Sequence, residues 1–417
     1  MGTLTVPLLE CEDAVWFRDT ESLPAAARSA ARSIGHRAGL LPERVGEVGL
    51  AVSEAATNLR RHARDGSLLL RVVRTDSEAA LECVTMDSGP GMADVHRSLT
   101  DGVSSRGTLG IGLGAISRLA DTFDLHSLPG AGTVLTARFW NRTAGGRRAA
   151  ACPEPVVTGI TRPMSGQDHC GDAWAARPVD AVRPAPEAGA VEPATRPAAH
   201  RTVLDWSVLT GTRPSRPADR AEHASATRAA LRPAAPTAAA AERATGPADR
   251  AFLTMFCDGL GHGPLAAKAA LDAVAAFRRS AARTPDGVLA DIHRALRSGR
   301  GGAVAVALVE PAEHRVSFSG VGNISTFVVD PATGTRRSLP SAPGIVGHQL
   351  PVLRTISHRL ADHSAVVMHS DGLTDRWRPS ELGGAFSHLP ATAAALLLRE
   401  AGVRRDDAGV LVAKGLW

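Results

Sequence analysis

The chain has 417 residues, enough for two or three domains of ordinary size. A composition that is 44% hydrophobic and 21% charged is typical of globular proteins and excludes a wholly disordered or fibrous chain. The net charge of +5 is small for this length and gives no indication of a specific nucleic-acid partner. The apolar runs are strand-sized and no signal peptide is evident, so we expect a cytoplasmic protein without membrane contact.

Composition divides the chain into two regions of alternating helical and strand patterns, residues 1–141 and 155–417, with a linker at 142–154. The second region is interrupted at 181–250, where the 70 residues include 21 Ala, 9 Pro and 10 Arg. We expect a disordered surface insertion there, because so few apolar side chains cannot offset the entropy lost on folding. The five cysteines are scattered and form no C-x-x-C pair, so neither a disulfide framework nor a zinc site is expected.

The first element with candidate chemistry is a helix predicted over residues 47–64, with apolar residues at helical spacing. Glu54 and Asn58 are four residues apart and therefore share one face of that helix. The Asn58 amide oxygen suits Mg²⁺, and Glu54 could accept or orient the proton of an attacking hydroxyl. Taken alone, an exposed polar pair on a helix is the commoner explanation.

A strand predicted over residues 81–87 follows and leads into Asp87-Ser-Gly89-Pro-Gly91. A carboxylate at a strand end can accept a hydrogen bond from the adenine amino group, and the two glycines let the backbone approach the base. An ordinary turn is the simpler alternative for this motif.

Glycines then cluster at residues 107–114, just before an apolar helical pattern over 115–120. Gly110, Gly112 and Gly114 would bring backbone amides and the positive end of a helix dipole to phosphate groups. A second glycine motif, Gly130-Ala-Gly132-Thr133, opens a predicted strand, where the Thr133 hydroxyl could help to bind the base.

The order Glu-Ala-Ala-Thr-Asn, Asp-Ser-Gly-Pro-Gly-Met, glycine-rich loop, Gly-x-Gly-Thr resembles the GHKL (Bergerat-fold) ATPases over about residues 5–141. More narrowly it is similar to the serine kinases of the anti-sigma-factor group, in particular switch kinases of the RsbT type. The resemblance implies an α/β sandwich that binds ATP, with Asn58 on Mg²⁺, Glu54 as catalytic base and Asp87, Gly89 and Gly91 at adenine. It also implies phosphate contacts by Gly110, Gly112 and Gly114.

In the second region, acidic residues recur where predicted strands end or begin: Asp172, Asp258, Asp371 and Asp406. A single Asp-Gly after a strand is most often a turn. Packed sheets would bring four such ends together, however, and clustered carboxylates repel one another unless cations lie among them. Two divalent ions about 4 Å apart can hold an attacking water and neutralise a phosphate.

The ordered set Gly-Asp, Asp-Gly-Leu-Gly-His-Gly, Gly-Asn-Ile-Ser, Ser-Asp-Gly-Leu-Thr-Asp and Asp-Asp-Ala resembles the SpoIIE branch of the metal-dependent PPM Ser/Thr phosphatases. It covers about residues 155–178 and 251–415 and implies an αββα sandwich with Mg²⁺ or Mn²⁺. The implied ligands are Asp258 bridging both metals, the Gly259 carbonyl on one, Asp371 and Asp406 on the other, and Asp172 nearby through water.

Three further residues of these motifs are interpreted from their positions. His262 is expected to be part of the loop structure rather than a catalytic acid. Asp375 is expected to cap a helix. Asp407 is expected to orient Asp406 instead of binding metal.

Together the resemblances imply a two-domain α/β switch protein, a Ser/Thr kinase fused to the phosphatase that reverses it. Both would act on STAS-domain antagonist or scaffold proteins, with a sigma factor or a downstream phosphatase as further candidate partners. The alternative is an ATP-binding anti-sigma or docking module fused to an active phosphatase. A chaperone-type or gyrase-type GHKL ATPase is disfavoured, because the long additional domains of those proteins are missing.

Overall fold

The structure is a computed structural model that describes residues 10–18, 20–75, 78–99, 112–142, 156–179, 251–403 and 405–414. The predicted insertion at 181–250 and Gly110 lie outside these ranges, as does all but the first residue of the predicted linker. None of the helices in the described ranges combines the length and the apolar character needed to cross a membrane.

The first sheet belongs to the N-terminal half and contains β1 (Glu10–Arg18), β2 (Ser67–Arg74), β3 (Ala79–Asp87), β4 (Thr122–Ser127) and β5 (Thr133–Trp140). Its strands are antiparallel and lie in the order β1-β2-β3-β5-β4. The helices of this half are α1 (Leu23–Arg37), α2 (Pro42–His62), α3 (Val95–Leu99) and α4 (Gly112–Leu119). Side chains of α1, α2 and α4 share one hydrophobic core with one face of this sheet.

Helix α2 carries the predicted site residues and follows directly from its sequence. Pro42 occupies the first turn, where the fixed φ of proline suits a helix and the missing N–H removes no hydrogen bond. Buried apolar residues recur every three or four positions and form a stripe facing the sheet: Val48, Val52, Ala55 and Leu59. The helix ends at His62, because the next residue, Ala63, is extended.

The C-terminal half contains two more antiparallel sheets. The second sheet has the order β13-β10-β9-β8-β7 and the third has the order β12-β11-β14-β15-β6. Their strands are β6 (Val157–Arg162), β7 (Asp172–Pro178), β8 (Phe252–Gly259), β9 (Gly302–Glu310), β10 (Arg315–Val321), β11 (Ser325–Asp330), β12 (Thr335–Ser338), β13 (Ile356–Arg359), β14 (Ala365–His369) and β15 (Ala408–Lys414). The helices are α5 (Pro264–Arg279), α6 (Pro285–Leu296) and α7 (Pro390–Ala401).

The second and third sheets pack face to face around a core that includes Phe252, Phe256 and Phe318. Helices α5 and α6 cover the outer face of the second sheet, and α7 covers that of the third. The predicted fold class, an N-terminal α/β sandwich followed by an αββα sandwich, is therefore confirmed.

The described residues of both halves belong to one compact unit, joined by α7. Leu69, Val84 and Met86 on the remaining face of the first sheet share a core with α7 and the third sheet. Ten of the twelve residues of α7 are buried, as expected for a helix that is apolar on all sides. The layers therefore run helices, first sheet, α7, third sheet, second sheet, helices.

A buried ion network lies on the same face of the first sheet, where β6 approaches it. The Glu82 carboxylate pairs with Arg71 at 2.5 Å and with Arg138 at 2.7 Å, and all three side chains are buried. Arg71 also donates to the Gly159 carbonyl of β6. Burial alone would raise the pKa of Glu82, but the two guanidinium groups hold it below its ordinary value. The carboxylate is therefore charged and fully paired.

Candidate functional site

The first group of candidate residues lies between α2, α4 and the ends of β3 and β5. Glu54 and Asn58 are partly exposed on α2. Gly112 begins α4, and a Cβ added to it would lie 3.9 Å from both polar atoms of the Asn58 amide. Gly114 is the third residue of α4 and is buried. The two glycines of this loop that the structure describes are thus at the helix that faces Asn58.

Asp87 is the last residue of β3, and its carboxylate is held in place by the backbone. Its Oδ1 accepts a hydrogen bond from the Gly89 N–H at 2.7 Å. Burial raises the pKa of Asp87, while the Gly89 N–H, the Arg399 guanidinium and the Thr133 N–H act in the opposite direction. An Asp with fixed orientation and reduced hydration suits the recognition of an amino group on a base.

Glycines are required around Asp87 because the backbone is crowded there. A Cβ on Gly132, whose φ is +74°, would lie 1.9 Å from the Asp87 carbonyl oxygen. A Cβ on Gly91, at φ +63°, would lie 1.9 Å from the Leu128 carbonyl oxygen. These positions leave no room for a side chain, and both are in the left-handed region that favours glycine.

Thr133 is directly opposite Asp87 in the pairing of β3 with β5. Its hydroxyl is 2.9 Å from the Ser127 hydroxyl, which also accepts a hydrogen bond from the Met92 N–H. Ser127 thereby links the strand that carries Thr133 to the loop after Asp87. No sequence motif includes Ser127, because its contacts arise only from the pairing of β4 with β5.

The second group of candidate residues lies at one edge of the two packed sheets. β7 begins at Asp172 and β8 ends at Gly259, so their antiparallel pairing places Asp172 opposite Asp258. β14 ends two residues before Asp371, and β15 begins two residues after Asp406. Antiparallel pairing again brings the end of one strand beside the start of the other.

Asp172 is buried, and among the described residues only one of its oxygens has a hydrogen-bond partner. Oδ2 accepts a hydrogen bond from the Ser370 hydroxyl at 2.6 Å, whereas Oδ1 is buried without a partner. Burial, followed by the charge of Asp258, raises the pKa of Asp172 well above its ordinary value. A buried acceptor that lacks a donor is the kind of group that a metal-bound water satisfies.

Asp371 and Asp406 are both exposed at this edge. Asp371 Oδ2 accepts a hydrogen bond from the Asn323 side chain at 2.8 Å, and Asp406 Oδ1 accepts one from the Asp407 backbone N–H at 2.9 Å. The Asp407 carboxylate itself is buried and accepts hydrogen bonds from the backbone of Met164 and of the residue before Asp172. Asp407 thus fixes the segment that leads into β7.

The carboxylates act on one another electrostatically although they do not form a closed cage. Burial and the charges of Asp371, Asp406 and Asp407 raise the pKa of Asp258 to about 7. Within the described ranges, no three His, Cys, Asp or Glu side chains converge closely enough to hold a metal ion directly. Oxygen donors, mutual repulsion and the unpartnered Asp172 oxygen fit divalent cations such as Mg²⁺, which retain water ligands.

One interpretation from the sequence is wrong. Asp375 does not cap a helix, because the short 3₁₀ segment that follows begins only at Pro379 and has Arg378 at its N-cap. Asp375 instead lies 3.2 Å from Nε2 of the buried His369 and accepts a hydrogen bond from the Ser325 hydroxyl. His262, expected to be part of the loop structure, is exposed in the loop after Asp258.

Four polar residues of the two groups were not predicted as site residues from the sequence: Ser127, Asn323, Ser370 and Arg399. Asn323 and Ser370 belong to motifs that were recognised, so their positions beside Asp371 carried a usable signal. Arg399 and Ser127 carried none, because their contacts depend on packing between distant segments.

Two family models match the chain. The model of the histidine kinase-like ATPase domain matches residues 17–139, and that of stage II sporulation protein E (SpoIIE) matches residues 248–414. The serine/threonine-protein kinase RsbT of Bacillus subtilis (strain 168) is 33% identical over 117 residues, which are 28% of this chain and 88% of RsbT.

Two solved structures are also similar. A chain from the bacterial stressosome has 21% identity and a TM-score of 0.42, and the match covers 61% of this chain and 97% of that chain. RsbX in complex with magnesium has 13% identity and a TM-score of 0.40, and the match covers 62% of this chain and 94% of the RsbX chain.

The folds, the two groups of residues and the family models define an enzyme with a kinase-like ATPase domain and a PPM-type Ser/Thr phosphatase domain. The chain belongs to the RsbT family of serine/threonine kinases through its N-terminal half and carries a SpoIIE-type phosphatase domain in its C-terminal half.

Proposed function

We propose that this protein is a bifunctional switch, in which the N-terminal half phosphorylates a Ser or Thr of STAS-domain proteins and the C-terminal half removes that phosphate. The observation that supports this proposal is the presence of two separate, chemically distinct sites within one compact unit. One is a crowded glycine backbone around Asp87, suited to a nucleotide, and the other is a cluster of carboxylates around Asp258, suited to cations.

In the kinase half, the Asp87 carboxylate accepts a hydrogen bond from the adenine amino group, and Thr133 lies opposite Asp87, beside the base. The N-terminus of α4, with Gly112 and Gly114, offers backbone amides to the phosphates. Asn58 would hold Mg²⁺, which neutralises phosphate charge. Glu54 accepts the proton of the substrate hydroxyl as its oxygen bonds to the γ-phosphorus and ADP leaves.

In the phosphatase half, Asp258 and the Gly259 carbonyl, together with Asp371 and Asp406, would hold Mg²⁺ or Mn²⁺. Two such cations supply an activated water and neutralise the charge of the phosphate. Asp172 would contact that centre through water, because its Oδ1 is buried and has no hydrogen-bond partner among the described residues. Asn323 and Ser370 orient the carboxylates of Asp371 and Asp172 by hydrogen bonds.

The experiment uses labelled ATP, Mg²⁺ and Mn²⁺ with a panel of STAS-domain proteins. Label should appear on a Ser or Thr of one of them, accumulate with Asp258→Asn and be absent with Asp87→Asn. No label with any variant, despite measurable ATP binding and phosphatase activity, would contradict the kinase reaction.

A second candidate function is an ATP-dependent docking module joined to an active phosphatase. Glu54 separates the two, because a base is needed only for transfer. Glu54→Gln, which keeps the size of the side chain, should abolish transfer and leave ATP-dependent binding of the STAS protein intact. Loss of that binding in a folded Glu54→Gln protein would show that Glu54 has another role.

A further inference from the structure

Arg399 belongs to the phosphatase half but contacts Asp87, which is one of the proposed nucleotide-binding residues of the kinase half. It lies in the last turn of α7, and its Nη1 donates a hydrogen bond of 2.9 Å to the Asp87 carbonyl oxygen, 312 residues away in sequence. Its side chain is only 8% exposed and also pairs with Glu400 at 2.6 Å. The guanidinium is therefore held in a fixed position against the end of β3.

The Asp87 carbonyl lies in a crowded part of the proposed nucleotide site. Gly132 passes so close to this oxygen that an added Cβ would lie 1.9 Å from it. On the other side of the same peptide group, the Ser88 N–H donates to the Arg64 carbonyl at 2.8 Å. Arg399 thus completes the set of contacts that fix this peptide, and the orientation of the Asp87 carboxylate depends on the peptide.

We propose that Arg399 is a positioning residue of the nucleotide site, which holds the Asp87–Ser88 peptide so that the Asp87 carboxylate faces the amino group of adenine. The inference rests on the proposed function of Asp87. It means that the kinase half receives part of its base recognition from the phosphatase half. Arg399 touches no substrate itself and acts through Asp87.

The competing explanation is that Arg399 only joins the two halves. The two explanations predict different effects on nucleotide affinity. Only a role through Asp87 makes the effect of Arg399 depend on the exocyclic amino group of the base. Inosine nucleotides lack that group but share the ribose and phosphates. Comparing ADP with IDP therefore separates loss of base recognition from general weakening of the site.

The experiment measures the affinity of the full chain for Mg²⁺-ADP and Mg²⁺-IDP by titration calorimetry. Arg399→Met should weaken ADP binding about tenfold or more, the size expected for a charged hydrogen bond, and change IDP binding less than about twofold. Arg399→Lys, which keeps a charged donor, should restore part of the ADP affinity. Arg378→Met is the control, because Arg378 also pairs with a glutamate in this half but is 74% exposed.

A cycle with Asp87→Asn completes the test, because Arg399→Met should have no further effect on ADP binding in that background. Equal losses for ADP and IDP, or unchanged ADP binding in Arg399→Met, would overturn the positioning role alone. A wild-type protein that does not prefer ADP to IDP would instead overturn the proposed function of Asp87. If Arg399→Met does not fold, the Arg399→Lys comparison of ADP with IDP decides in the same way.

Discussion

The Asp258→Asn substitution is expected to stabilise the metal-free protein while removing its response to metal. Burial and neighbouring carboxylates raise the pKa of Asp258 from 3.8 to about 7. At 1.36 kcal/mol per pH unit, its ionisation at pH 8 costs the folded protein ~4 kcal/mol relative to the unfolded chain. Neighbouring acids share this repulsion, so we expect the free energy of unfolding to rise by about 2–4 kcal/mol.

The sign of the pH dependence follows from the raised pKa. The folded protein binds the Asp258 proton more tightly than the unfolded chain, so this group's contribution to stability is lost as the pH rises from about 4 to 7. In EDTA, the difference between Asp258→Asn and wild type should therefore be small near pH 4 and largest above pH 7. Scanning calorimetry at pH 8 should show a Tm higher by about 3–6 °C in the variant.

Saturating Mn²⁺ should reverse this order. Ligand at 1,000 times its Kd stabilises the folded state by about 4.1 kcal/mol, which exceeds the expected advantage of the metal-free variant, and the variant lacks the carboxylate proposed to bridge both ions. Asp272→Asn is the control, because Asp272 is a half-exposed acid on α5 that pairs with Lys268. This reasoning would be refuted if Asp258→Asn were less stable than wild type in EDTA at pH 8. It would also be refuted if Mn²⁺ raised the free energy of unfolding of the variant as much as that of wild type.

Three further substitutions test other parts of the structure. Glu82→Gln should lower the free energy of unfolding by about 3–5 kcal/mol in urea, because two buried arginines lose their counter-charge. Gly132→Ala should weaken ADP binding at least about tenfold by calorimetry, because its Cβ would displace the Asp87 carbonyl, whereas Gly130→Ala, with a similar φ and open space, should not. Asp407→Asn should lower kcat for aryl phosphate hydrolysis about tenfold or more, because one of two backbone N–H groups loses its acceptor.

Each of these expectations has a clear contrary result. A loss below about 1 kcal/mol in Glu82→Gln would mean that the network contributes little beyond its desolvation cost. Equal ADP affinities in Gly132→Ala and Gly130→Ala would show that the close approach of Gly132 to Asp87 is not needed for ADP binding. Unchanged kcat in Asp407→Asn would make the buried carboxylate a purely structural group.

The sequence predicted the elements whose signals are local. The buried residues of α2 recur at helical spacing. One Asp-Gly pair ends β8 and another follows β14 two residues later, as in strands that end at a turn. These patterns depend on neighbours within a few residues, so the helices, strands and candidate residues could be predicted from them. The fold class was implied by the resemblance of the ordered motifs to known families. Asp375 shows the limit, since a carboxylate before a possible helix is a good cap only if a helix begins there.

What the sequence by itself determined is the pair of chemistries, because glycine-rich nucleotide motifs and carboxylates at strand ends require particular residue types at fixed spacing. Tertiary structure alone decided how they are connected. The packing of α7 against both the first and the third sheet brings Arg399 to Asp87, 312 residues away, and the Met92 N–H donates to the Ser127 hydroxyl, 35 residues away. Such contacts join segments far apart in the chain, and their geometry depends on the packing of whole layers, which no local pattern encodes.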